Sequence, residues 1–252
     1  MNHQHTFCDV GLWNLDWTMS IPCVDCYDEK IVKNGQEVEI IEDGFKPSTH
    51  GINIEIASER RDGISKIVLR EIGRDYQLHD IQFKSDRPRI IDIGAHIGLV
   101  SVFLAKYYPS STVESYEPNP DNYSHLVKNI KANRLRNVKT HHAAVTGDGR
   151  DVIIQTTADN SGQYSIFKEG GKKVHSVSVT KLLKKPIDLL KIDCEGAEYE
   201  IFEALTDEQI QSIGSIRGEF HQLKGDDITR LFVLYHRVSS LCRDFYVSMC
   251  RL

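Results

Sequence analysis

Hydrophobic and polar positions follow two different patterns along the chain. From Arg89 onward, an apolar run of strand length is followed by turn residues and then by an amphipathic helical stretch, and this unit repeats. Strands that alternate with helices of this length form βαβ units, which build a mostly parallel sheet with helices on both faces. The pattern therefore predicts an open α/β sheet. The predicted helices cover residues 99–108, 120–133, 197–205 and 226–237.

The first third of the chain is β-rich instead. Asn34-Gly35 lies between β-prone stretches, as a two-residue hairpin requires, since both turn positions need positive φ. Residues 51–57 and 65–72 flank a second turn and predict another antiparallel pair. We expect a β-rich N-terminal extension or cap over residues 1–85 and one larger domain over residues 86–252, which ends in a strand or hairpin at the sheet edge.

Composition and charge mainly exclude certain classes of partner and location. The chain has 252 residues, 40% of them hydrophobic, so it can bury a sizeable core. Its net charge of −5 comes from interspersed acids and bases, which offers no basic face to a nucleic acid. The N-terminus does not have the pattern of a signal peptide, and no run of about 18 apolar residues occurs. We therefore expect a cytoplasmic protein that binds neither nucleic acid nor membrane.

Cysteine spacing leaves one metal alternative open. Six cysteines in a chain of this length indicate reduced thiols rather than a disulfide scaffold. Cys23 and Cys26 have the spacing of a zinc ligand pair, and Cys8, His3 and His5 precede them. No second pair follows at comparable spacing, so free thiols are the expectation and zinc is the alternative.

The turn after the first strand of the α/β region suggests a ligand site. Open α/β sheets bind ligands at the carboxyl ends of their strands, and here Asp92-Ile93-Gly94 is followed by Gly98. Glycines allow close backbone approach. A dinucleotide site would have a third glycine where His96 stands, and its phosphates would be repelled by Asp92. A cationic ligand without phosphates, such as S-adenosylmethionine, tolerates both features.

The next strand ends in a second acid, Glu117, one βα unit after the first. A carboxylate there can accept charge-assisted hydrogen bonds from both hydroxyls of a ribose. The alternative is that Glu117 only ends a strand before a helix that Asn119 caps. We expect an S-adenosylmethionine site with these contacts: Asp92, Ile93, Gly94, Ala95, His96, Gly98, Glu117, Pro118, Asn119, Ala144 and Asp193.

Three stretches carry a family resemblance: IDIGAHIG, YEPNP and LLKIDCEGAEYEIF. They resemble the FkbM family of class I S-adenosylmethionine-dependent methyltransferases over about residues 90–221, and the third is the most specific. The resemblance implies a Rossmann-like sheet of seven strands with the last strand antiparallel. It also implies methyl transfer, commonly to a hydroxyl oxygen of a small molecule or sugar.

Catalytic candidates follow from the strand ends. Methyl transfer mainly requires an acceptor aligned with the methyl carbon, and in some enzymes also a base. Asp193 and Glu195 end one strand, while Glu219 and His221 are two apart on another and share a face. We expect these four to be catalytic, with His221 as general base because its ordinary pKa lies near neutrality. A plain hydrogen-bonded pair of Glu219 and His221 is the alternative, and Glu198 is expected to cap its helix.

Other chemistry remains open. No resident metal is expected, but Asp193, Glu195 and Glu219 could hold Mg²⁺ through carboxylate oxygens. Between inserted strands at 151–157 and 172–179 lies a polar loop in which Asn160, Ser161 and Tyr164 could contact substrate.

Three alternative functions are an N-methyltransferase acting on a peptide or protein, a nicotinamide-dependent oxidoreductase and a non-catalytic cofactor-binding module. The expected partner is a small-molecule or carbohydrate substrate, and a homo-oligomer is left open.

Overall fold

The computed structural model divides the chain into two compact units, Met1–Ile40 and Ile41–Leu252. It describes residues 32–33, 36–37, 48–49, 51–57, 68, 71–73, 75–154, 171–222 and 228–251. In the first unit, β1 (Val32–Lys33) pairs antiparallel with β2 (Gln36–Glu37). Lys33 lies opposite Gln36, so the connection has the two residues 34 and 35 and the predicted hairpin is confirmed. Cys8, Cys23, Cys26, His3 and His5 lie outside the described residues, as do Asn160, Ser161 and Tyr164.

The second unit begins with a short antiparallel pair, β3 (Ser48–Thr49) and β4 (Ile52–Asn53). The prediction that residues 65–72 form a partner strand is wrong, because Val68 and residues 71–73 are helical. Val68 and Ile72 are one helical turn apart, and both pack into the same hydrophobic cluster. The four-residue spacing of these two apolar side chains therefore matches one face of a helix.

Strands and helices then alternate. The strands are β5 (Arg89–Ile93), β6 (Thr112–Tyr116), β7 (Val138–His141), β8 (Ala144–Thr146), β9 (Val152–Ile154), β10 (Lys172–Val174), β11 (Ser176–Ser178), β12 (Ile187–Ile192), β13 (Ile213–Gln222) and β14 (Asp244–Arg251). The helices are α1 (Leu99–Tyr107), α2 (Pro120–Ala132), α3 (Val179–Leu182), α4 (Glu198–Glu203), α5 (Asp207–Gln211) and α6 (Ile228–Leu241). The four predicted helices correspond to α1, α2, α4 and α6.

The central sheet has the order β14-β13-β12-β5-β6-β7, and every neighbouring pair is parallel. The predicted open α/β sheet is confirmed. The inserted strands form two smaller pairs, β8 with β11 in parallel and β9 with β10 in antiparallel orientation. Within the described ranges, no helix is long and apolar enough to cross a membrane.

The last strand corrects one expectation. The described part of the sheet has six strands rather than seven, and β14 runs parallel to β13, not antiparallel. The 14 residues of α6 lie between them. A helix of that length spans about 21 Å, enough to carry the chain back to the edge where β13 began. A strand that starts from that edge must run parallel to its predecessor.

The core lies on both faces of the sheet. Ile90 belongs to a cluster with α1 and α2, whereas the next residue, Ile91, belongs to a cluster with α4, α5 and α6. Successive residues of a strand point to opposite faces, so the two clusters cover the sheet from both sides, as predicted. Because both faces are covered, the strand ends are where a ligand can reach the sheet.

Candidate active site

An open cleft lies at the carboxyl ends of the central strands, and its empty space is about 1070 Å³ when open solvent at the mouth is included. Its walls come from the turns after β5, β6 and β12, from β13, and from the segment that precedes β5. This is the edge at which open α/β sheets bind ligands. Of the predicted cofactor contacts, those that line the cleft are Ile93, Gly94, Ala95, His96, Glu117, Pro118, Ala144 and Asp193.

The turn after β5 requires its glycines. Gly94 has φ +78°, and a Cβ there would lie 1.7 Å from the carbonyl oxygen of Asp193. Gly98 has φ +89°, and its Cβ would lie 2.4 Å from Cδ1 of Leu126. The N–H groups of Gly94 and Ala95 both donate to the carbonyl of Tyr116, at 3.1 and 3.0 Å. The turn is therefore held tightly against β6 and β12, with its backbone at the cleft wall.

Glu117 is the acid that the cleft presents from β6. It is 3% exposed, and its two oxygens accept hydrogen bonds of 2.8 Å from the N–H groups of His96 and Asn119. Burial raises the pKa of Glu117 to about 7, against these two bonds, which lower it. The Asn122 side chain also donates to this carboxylate, which has about four lone-pair positions, so Glu117 can still accept from a ligand hydroxyl.

Three predicted contacts do not line the cleft. Asp92 is fully buried, and it accepts a hydrogen bond of 2.5 Å from the hydroxyl of Ser101. Asn119 is the N-cap of α2, where its side chain accepts from two backbone N–H groups of the first turn. Gly98 packs against Leu126. These residues support the turn from behind the cleft wall.

Lys191 was missed by the sequence reasoning. It is 2% exposed, and its Nζ donates to the carbonyl of Gly94 at 3.2 Å. The same atom lies 3.7 Å from Oδ1 of Asp92 and 3.6 Å from Oδ2 of Asp193. Burial lowers the pKa of Lys191, but these carboxylates outweigh burial and hold the pKa above its ordinary value. A lysine inside the apolar run of β12 was the available signal, since a buried cation needs a partner.

The four predicted catalytic residues do come together, around His221. Its Nε2 lies 3.5 Å from Glu219, 3.7 Å from Glu195 and 3.8 Å from Asp193. On the other side of the ring, Nδ1 lies 3.0 Å from Glu198. Burial lowers the pKa of His221, but the carboxylates, Glu198 first, outweigh it and hold the pKa well above 6.5.

This environment bears on the expected role of His221. A base must be neutral to take a proton, and the carboxylates around the ring favour its protonated form. The general-base role therefore stays a prediction. Glu198 supports the same cluster, since its carboxylate also accepts the N–H groups of Cys194 and Gly196 at 2.9 and 2.8 Å.

Glu195 occupies an unusual backbone position in this cluster. Its φ of +55° is in the left-handed region that disfavours side chains, and Gly196 follows with φ +103°. Burial, offset in part by His221, raises the pKa of Glu195 to about 8. The tight turn therefore places a partly protonated carboxyl group at the cleft.

Two more residues that the sequence did not reveal come from the segment before β5. Tyr76 is fully buried, and its hydroxyl donates to Oδ2 of Asp193 at 2.9 Å. Glu71 lines the cleft, 3.5 Å from the same hydroxyl. No local pattern marks these residues, because their role depends on how the described residues of this segment pack against the sheet.

A magnesium site gains no support. Ligand atoms of Asp193, Glu219 and His221 all lie within 4.8 Å of one another, a grouping that could hold a metal. However, one of these three groups is a histidine ring, and Mg²⁺ takes oxygen ligands.

Comparison with known proteins places this cleft in context. Residues 92–241 match the Methyltransferase FkbM domain. The chain is 24% identical over 191 residues to Methyltransferase 1 of Beauveria bassiana (strain ARSEF 2860), covering 65% of this chain and 76% of that protein. It is 27% identical over 222 residues to Methyltransferase sdnD of Sordaria araneosa, covering 66% and 85%. Among solved structures, it is similar to the precorrin-6y C5,15-methyltransferase of Geobacter metallireducens GS-15, with a TM-score of 0.42, 17% identity and coverage of 72% and 76%.

Proposed function

The chain belongs to the FkbM methyltransferase family, whose domain spans more than half of it, and from this premise we propose that it transfers a methyl group from S-adenosylmethionine to a hydroxyl of a small molecule or sugar. The observation that carries the proposal is the pairing of two features in one cleft. Glu117 offers both carboxylate oxygens at one wall, and a cluster of acids around Asp193 forms another. The carboxylate of Glu117 suits the hydroxyls of a ribose, and the acid cluster suits a positively charged group.

The residues of the cleft fit this methyl donor. Glu117 would accept hydrogen bonds from the ribose hydroxyls, with its geometry fixed by His96 and Asn119. Gly94 brings the backbone to the cleft wall, and Ala144 adds an apolar surface. S-adenosylmethionine supplies a methyl carbon that its sulfonium already activates, so the chain mainly has to hold and align the acceptor.

The acid cluster supports a hydroxyl acceptor. The carboxylates of Asp193, Glu195 and Glu219 can accept a hydrogen bond from a hydroxyl, and the proton on His221 keeps them paired. A nitrogen acceptor is the second candidate, since an ammonium group is also attracted to acids. The names of the two related methyltransferases specify no acceptor. Family membership decides against a nicotinamide-dependent oxidoreductase.

Titration calorimetry with S-adenosylmethionine tests the donor site. We expect wild-type protein to bind, and Glu117→Gln to bind at least about 10-fold more weakly, because a hydrogen bond to a charged group contributes about 1.5–3 kcal/mol. Glu208→Gln, at an exposed position of α5, is the matched control and should bind as wild type does. Absence of binding by the wild-type protein would refute the proposal.

A turnover screen tests the acceptor. Wild-type protein is incubated with S-adenosylmethionine and panels of saccharides, phenols, aliphatic alcohols and amines, with S-adenosylhomocysteine formation as the readout. We expect turnover with hydroxylated compounds. Turnover confined to amines that bear no hydroxyl would refute the hydroxyl assignment and favour N-methylation.

A further inference from the structure

The segment before β5 brings a carboxylate to the cleft that the FkbM match does not cover. Glu71 lies in the helical residues 71–73, whereas the match begins at residue 92. Its side chain lines the cleft together with Asp193 and Glu219. The hydroxyl of Tyr76 lies between two of these acids, 3.5 Å from Glu71 and 2.9 Å from Asp193. Glu71 is therefore part of the same acid cluster.

The acids of the cluster differ in their positive partners. Asp193 lies 3.6 Å from Lys191, and Glu195 and Glu219 lie 3.7 and 3.5 Å from protonated His221. Among the residues that the structure describes, no ion pair of 4.0 Å or less includes Glu71. Glu71 thus differs from Asp193, Glu195 and Glu219 in having no described cation within 4.0 Å, which favours its action as a base.

We propose that Glu71 is a catalytic residue, the group that accepts the proton of the acceptor hydroxyl. This inference rests on the proposed function. In the step, the acceptor oxygen forms a bond to the methyl carbon while the carbon–sulfur bond breaks and its electron pair stays on sulfur. The hydroxyl proton passes to the carboxylate of Glu71, which becomes a neutral carboxylic acid. No further reactant is needed for the atoms and charges to balance.

The surroundings of Glu71 suit a base. Burial, then the charges of Asp193 and Glu219, raise the pKa of Glu71 to about 8, while Lys191 opposes this rise and Asp75 adds to it. General bases work best when their pKa lies near the working pH, where the product of ionised fraction and basicity is largest. At pH 7, about a tenth of a group with such a pKa is ionised, so turnover should rise as the pH approaches 8.

Single-turnover kinetics of Glu71→Gln test this role. We expect the rate of methyl transfer to fall about 100-fold, as loss of a general base does, with cofactor affinity by calorimetry within threefold of wild type. The rise in rate up to about pH 8 should disappear. Glu71→Asp should restore part of the rate and of the pH dependence. Asp80→Asn, an exposed acid in the same segment, is the control and should match wild type.

A second readout does not depend on turnover. In protein labelled with ¹³C at glutamate side-chain carboxyls, the resonances of Glu71 and Glu195 should both titrate near pH 8. The one assigned to Glu71 should be lost in Glu71→Gln and kept in Asp80→Asn. Loss of this resonance together with the slow, pH-independent rate supports the proposal. A variant rate above a third of wild type, or no titrating resonance assignable to Glu71, overturns it. Wild-type protein that methylates no hydroxylated compound contradicts the proposed function instead, and the resonance then still shows whether Glu71 titrates as the inference requires.

Discussion

Replacing Lys191 with methionine tests how the charges behind the cleft are held. Methionine keeps the length and apolar stem of the side chain and removes only its charge. Lys191 is 2% exposed and Asp92 is fully buried, so solvent cannot replace the lost cation. The variant therefore leaves Asp92 with its hydrogen bond from Ser101 but without a counter-charge.

The magnitude follows from the distances. At 3.7 Å from Asp92 and 3.6 Å from Asp193, Coulomb attraction is about 4–5 kcal/mol per pair at an effective dielectric constant near 20. Desolvation of each ion offsets much of this in the wild-type protein. Removing one partner of a buried pair typically destabilises by about 3–5 kcal/mol, because the other charge stays buried. We expect a loss in that range at pH 7.5.

The direction in which the stability of Lys191→Met changes with pH follows from the pKa of Asp92. Burial raises the pKa of Asp92 above its ordinary value, against Lys191, which lowers it. A carboxyl group with a raised pKa binds its proton more tightly in the folded state, so stability falls as the pH rises above the unfolded pKa. Without Lys191 the pKa of Asp92 rises further. The loss of stability in Lys191→Met should therefore be larger at pH 7.5 than at pH 5.

Urea unfolding monitored by circular dichroism at both pH values measures these losses. Lys184→Met, an exposed lysine close by in the chain, is the matched control and should stay within about 0.5 kcal/mol of wild type. Since Lys191→Met could fail to fold at neutral pH, the double variant Lys191→Met with Asp92→Asn is made as well. It removes both charges and should recover much of the loss. A single variant within about 1 kcal/mol of wild type at pH 7.5, or a double variant less stable than the single one, would refute the reasoning.

Three further results are expected. Gly94→Ala should lose at least about 2 kcal/mol more unfolding free energy than Gly51→Ala in urea titrations. Both positions have positive φ, but only the Cβ at Gly94 would meet backbone, the carbonyl of Asp193. Equal losses would show that the turn after β5 shifts to accommodate the added Cβ. The affinity for S-adenosylmethionine should rise with pH through about 7 as Glu117 ionises, and the profile should be flat in Glu117→Gln, as calorimetry between pH 5.5 and 8.5 can establish. Dialysis against EDTA should leave the methyl-transfer rate unchanged, whereas a rate restored only by Mg²⁺ would contradict this expectation.

Local pattern was sufficient for much of the architecture. The turn after β5 was predictable because Gly94 and Gly98 stand where a strand meets a helix, and positive φ at both is a backbone property that the sequence carries. The position of Glu117 followed from the same alternation, one βα unit further along. The lysine in β12 was visible too, but its partners depend on which strands are neighbours, and sheet order is not a local property.

The properties of the candidate site itself depend on long-range contacts. His221 looks like a neutral base when read beside Glu219 alone, since its ordinary pKa is near neutrality. Its pKa is raised first by Glu198 at the start of α4, and Asp193 at the end of β12 adds to this, so no spacing within β13 contains that information. Glu71 extends the same argument, because only the fold places a segment more than 100 residues earlier in the chain beside Asp193. If Glu71 accepts the proton, the residues before the family domain take part in the chemistry and are not only a support for it.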